Sequence, residues 1–87
     1  MPIEQVHTFT MPDAEQCANL VHRARVALLQ AGDTRTPNDR SAVKMVDGLG
    51  YVVLYGTEGT LAVYRIRPDT LMLRRMKRWP ATLDKVN

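Results

Sequence analysis

The chain has 87 residues, 45% of them apolar and 24% charged, which gives room for one small domain of ordinary globular composition. Its single cysteine, Cys17, excludes an internal disulfide and a cysteine-rich zinc site. The net charge of +3 is unevenly placed: residues 1–64 carry a net −2 and residues 65–87 a net +5.

The opening MPIEQVHTFT lacks the basic and apolar regions of a secretion signal. The longest apolar run, Tyr51 to Tyr55, is far shorter than the roughly 20 residues of a membrane span. A cytoplasmic protein that neither crosses nor binds a membrane is the expectation.

Residues 3–9 (IEQVHTF) could form an extended strand. The segment after it reads as a helix over about residues 12–31. Pro12 suits a first helical turn, and Asp13 and Glu15 suit its positive end. Thr10 and Asp13 fit a capping-box spacing, while Met11 as N-cap before Pro12 is equally open. Cys17, Leu20, Val21, Ala24, Ala27, Leu28 and Ala31 recur at the spacing of one buried face. Gly32 falls where a left-handed C-terminal cap is expected. Residues 32–41, GDTRTPNDRS, read as a polar loop, expected to be mobile.

From Ala42 the pattern changes to strands. AVKMV, YVVLY, TLAVYRIR and LMLRRMK are separated by Asp47-Gly48-Leu49-Gly50, Gly56-Thr57-Glu58-Gly59 and Pro68-Asp69. Trp79-Pro80 ends the last strand, and PATLDKV suits a short helix. The fold class expected is α+β: one long N-terminal helix on an antiparallel sheet of four to five strands, with a β-meander over 42–77 and a short C-terminal helix.

A two-residue turn at Pro68-Asp69 would set Arg67 opposite Thr70, Ile66 opposite Leu71 and Tyr64 opposite Leu73. Ala62, Tyr64, Ile66, Leu71 and Leu73 then share one face. Arg65, Arg67 and Arg74 share the other, around Val63 and Met72. An unprimed type I turn is not a favoured two-residue hairpin loop, so this register rests on the apolar pattern.

The sequence offers little for catalysis. Cys17 and His22 are five apart on the helix, about 140° around it, and Cys17 suits a small core position. His22 lies opposite the apolar stripe. Ser41, the one serine, lies in no nucleophile motif. Asp13 and Glu15 do not face each other on a helix, and Gly48-x-Gly50 sits in a hairpin rather than before a helix. His7 and His22 have no metal-ligand spacing. A non-catalytic protein without cofactor or metal is expected.

Two surface features remain. Arg65, Arg67, Arg74, Arg75, Lys77 and Arg78 surround a single acid, Asp69, between residues 65 and 78. Such a cluster suits nucleic-acid phosphates or an acidic protein surface, and equally a sheet edge kept soluble by charge. Tyr64 and Trp79 read as packing residues rather than stacking platforms. On the helix, Val26 and Leu29 lie away from the buried stripe, as a possible protein or homodimer interface or as a patch covered by the loop or the C-terminal segment.

The segment LAVYRIRPDTLMLRRMKRWP, residues 61–80, resembles the end of small uncharacterised accessory proteins of proteobacterial phages and mobile elements, with an LAVYR strand, a short turn and a basic KRWP ending. The resemblance covers about a quarter of the chain. It implies an accessory protein that binds host or phage macromolecules, including as an inhibitor of host defences, and carries no activity or site residues with it. The function expected is a small binding module, for nucleic acid through the basic hairpin or for another protein.

Overall fold

The computed structural model describes residues 8–85; residues 1–7, which hold most of the expected first strand, and residues 86–87 lie outside that range. One helix, α1 (Ala14–Gln30), packs on a four-stranded antiparallel sheet of β1 (Ala42–Val46), β2 (Leu49–Gly56), β3 (Gly59–Ile66) and β4 (Leu73–Arg75), in the order β1-β2-β3-β4. A 3-10 turn, η1 (Ala81–Asp84), follows. The α+β class and the meander are as expected.

Helix α1 starts where its side chains can satisfy it. Asp13, not Met11 or Thr10, is the N-cap: its carboxylate accepts the Gln16 N–H at 2.8 Å. Pro12 thus precedes the helix. At the other end Gly32, at φ +89°, makes the expected left-handed cap. The Gly32 and Asp33 N–H groups donate to the Leu29 and Leu28 carbonyls, the paired bonds of a Schellman motif. Leu20, Ala24 and Leu28 form the buried face, with Val21 and Ala27 beside them. Ala31, expected in that stripe, lies past the last turn and is exposed.

The polar loop is tied down at Asn38. Its N–H donates to the Tyr55 carbonyl at 2.7 Å, its carbonyl accepts from Arg25, and its side chain accepts the Arg40 N–H. Ser41 accepts the Tyr55 N–H at 3.0 Å, so the lone serine serves the backbone.

Asp47-Gly48 closes the β1–β2 hairpin as a two-residue turn with both φ positive, at 52° and 77°, the mirror-image geometry that matches strand twist. Gly50 is bare because Phe9 occupies its place: a Cβ there would come within 2.5 Å of the Phe9 ring. Phe9 also donates its N–H to the Gly48 carbonyl, and so joins the core on the helix side.

Both faces of the sheet carry a buried cluster. Val52, Leu54, Ala62, Tyr64 and Ile66 meet α1 and Phe9. Tyr51, Val53, Tyr55 and Val63 point the other way and are covered by Met76, Trp79 and Leu83. The expected open arginine face is therefore half closed by the C-terminal segment. The Tyr55 hydroxyl donates to the Leu83 carbonyl at 2.6 Å. Trp79 anchors the same segment through its indole N–H to Asp84 at 2.9 Å.

The last hairpin corrects the expected register. Ile66 pairs with Leu73, Arg65 with Arg74 and Tyr64 with Arg75, while the Arg67 N–H donates to the Met72 carbonyl at 2.9 Å. The pairing has moved by two residues. A two-residue type I turn would splay twisted strands, whereas a longer loop with a left-handed final residue restores the twist. Leu71 takes that conformation, at φ 59°, and its N–H donates back to the Arg67 carbonyl. A shift of two preserves face parity, so Arg65, Arg67 and Arg74 stay together.

Candidate functional site

The strand pairings set Lys44, Tyr51, Arg65 and Arg74 in one cross-strand row on the face away from α1. Tyr51 is buried in that row, while Arg65 and Arg74 are exposed. Their positions directly oppose each other on adjacent strands about 4.8 Å apart. Arg67 and Met72 form the next row toward the turn.

These residues line one cleft of about 510 Å³, bordered by Arg65, Arg67, Asp69, Met72 and Arg74, with Pro68 and Leu73 completing it. Arg67 Nε lies 3.4 Å from the Asp69 carboxylate. The other ion pair among the described residues joins Asp33 and Arg35. Arg65 and Arg74 thus face solvent with no carboxylate of the described residues in contact.

The other cations of the expected ribbon lie elsewhere. Arg75 falls on the helix side of β4, close enough to act on Tyr64 and on the Asp33 carboxylate. Burial raises the Tyr64 phenol above its ordinary value, Arg75 partly offsets this, and Asp33 adds to it. Lys77 and Arg78 follow β4 on the way to η1. Three of the six cations therefore share the cleft. Lys44, a cation in the same row that the hairpin pattern left out, is occupied: its ammonium donates to the Lys85 carbonyl at 3.1 Å and lies 5.1 Å from the Tyr55 ring centre.

No aromatic face is offered to a ligand at the cleft. Tyr51 and Tyr55 are buried, Tyr64 is in the core on the far side, and Trp79 packs against the second core cluster. On the helix, Val26 and Leu29 are exposed, at 38% and 66%.

Cys17 and His22 both border a shallow groove between α1 and β1. The Cys17 thiol turns toward the residues before the helix, 3.5 Å from the Pro12 carbonyl and 3.8 Å from Met11 Sδ. Burial, and then the Asp13 charge, raise it above its ordinary value and so disfavour the thiolate. Among the described residues no three His, Cys, Asp or Glu side chains converge as a metal site would require, and no helix is long and apolar enough to cross a membrane. Compared with family models, curated proteins and solved structures, the chain matches none.

Proposed function

We propose that the protein binds nucleic acid through the phosphate backbone, using Arg65, Arg67 and Arg74. One observation carries this reading: Arg65 and Arg74 stand directly opposite each other with no carboxylate of the described residues in contact. Like charges so placed oppose sheet formation by a few tenths of a kcal/mol, up to about 1. Defence of a sheet edge explains Arg74 on β4, but not Arg65 on the interior strand β3. Arginine forks suit phosphate oxygens, and a cleft lined by no aromatic ring favours backbone over base contacts.

Three arginines rather than six set the salt dependence. Affinity for duplex DNA should fall with a log–log slope near −3, not the value near −5 that six phosphate contacts imply. A salt titration measures this, and absence of binding at about 50 mM salt sinks the proposal. An accessory role in a phage or mobile element is the setting that the likeness of residues 61–80 supports.

Exposure of Val26 and Leu29 favours a second reading, a protein interface on α1. Light scattering of the wild type and of a Val26→Glu, Leu29→Glu variant tests its homodimer form. A wild type that stays monomeric at high concentration excludes that form.

A further inference from the structure

We infer that the arginine cleft is a clamp for the terminal phosphate of a nucleic-acid strand, an inference that rests on the nucleic-acid reading above. Three features of the cleft lead there.

The first is shape. Residues on one face of a strand repeat about every 6.6 Å, and neighbouring strands lie about 4.8 Å apart. Arg65, Arg74 and Arg67 occupy two such rows on two strands, and all three line the same cleft. They form a compact triangle about Met72 rather than a line. A continuous backbone lays its phosphates along a line, which fits such a triangle less closely than one group with three free oxygens does.

The second is charge. Three guanidinium groups and the Asp69 carboxylate give the lining a formal +2. An internal phosphodiester carries a single negative charge. A phosphate monoester carries about −1.5 to −2 at neutral pH and presents three terminal oxygens. The terminal group therefore matches both the charge and the three-sided donor arrangement, and arginine forks can engage its oxygens in pairs.

The third is the surroundings. With Tyr51 and Tyr55 buried and Trp79 bonded to Asp84, no ring flanks the cleft for base stacking. The chain is rich in further cations beyond β4, at Lys77 and Arg78. Their field draws a polyanionic strand more strongly than a singly phosphorylated peptide, without adding to the three arginine contacts.

The test uses the full chain and a short single-stranded oligonucleotide dye-labelled at its 3′ end, carrying either a 5′-phosphate or a 5′-hydroxyl. Anisotropy at about pH 7.5 should show the phosphorylated strand bound about tenfold more tightly, the size of one added charge-assisted contact. The charged groups facing the ligand between pH 5 and 7 are Arg65, Arg67, Asp69 and Arg74, with no histidine in the lining. The phosphate's second proton, with a pKa near 6, does titrate there, so the preference should shrink at about pH 5.

Arg65→Lys and Arg74→Lys keep the charge and lose the fork. Each should weaken both strands but the phosphorylated one more, and so reduce the preference. Equal affinity for both strands, with the slope near −2 that three contacts imply on single-stranded nucleic acid, overturns the clamp and leaves the backbone reading standing. Failure of both strands to bind at low salt overturns both. A phosphoserine peptide that binds as tightly as the phosphorylated strand overturns the assignment to a strand end.

Discussion

The two faces of the sheet each carry a buried cluster, but they are covered in different ways. Helix α1 supplies its own backbone hydrogen bonds, a carboxylate cap at Asp13 and a Schellman close at Gly32, and it lays Leu20, Ala24 and Leu28 side by side on the sheet. The opposite cover has only the short turn η1, one fully buried side chain in Leu83, and tethers that run through Tyr55, Trp79 and Asp84. An amphipathic helix adds stability of its own once its face is buried. A four-residue turn depends on the sheet to hold it.

That contrast can be broken by substitution. Leu28→Ala should have the largest effect, about 2–5 kcal/mol, because rigid elements on both sides cannot collapse into the cavity. Leu83→Ala should cost less, since the short segment can settle inward; chemical denaturation compares the two directly. Equal losses would show that the C-terminal segment is as integral to the core as the helix.

Gly50→Ala comes next. The new methyl would overlap the Phe9 ring, for a loss of about 1–3 kcal/mol in the same assay. Tyr55→Phe should cost about 1–2 kcal/mol, because the buried Leu83 carbonyl loses its donor. Hydrogen exchange should then speed up over residues 81–85 before it does in α1.

The smallest effect concerns acid. The Trp79 indole N–H, and then the Thr60 hydroxyl close by but outside hydrogen-bond geometry, hold the Asp84 carboxyl below its ordinary 3.8. A carboxyl lowered by folding adds stability above its unfolded value, and loses it as pH falls through the folded one. Trp79 fluorescence should therefore change below about pH 4, and Asp84→Asn should remove most of that change.

Much of this molecule is readable along the chain because the controlling interactions are local. The stripe Leu20, Ala24, Leu28 follows the helical period, and Gly32 marks its end. Asp47-Gly48 announces a mirror-image turn. The parity that keeps Arg65, Arg67 and Arg74 together is also local, and it survived a two-residue error in register. The error arose at Leu71, whose left-handed backbone has no signature in a leucine.

The cleft was legible only in part. Alternation along the strands put three arginines on one face and Arg75 on the other, but it could not place Lys77 and Arg78 beyond β4. Nor could it show Lys44 drawn away to the Lys85 carbonyl, a contact between residues 41 apart.

The sequence by itself therefore determined the element types, the apolar face of the helix and the sidedness of the arginines, because each depends on neighbours within a few residues. Tertiary structure decided the rest. It set the hairpin register through strand twist and placed Phe9 over Gly50. It also closed half of the second face with the C-terminal segment, which left a three-arginine cleft where a six-residue ribbon was expected. These outcomes depend on groups far apart in the chain competing for the same surface, and that competition is settled only when the chain has folded.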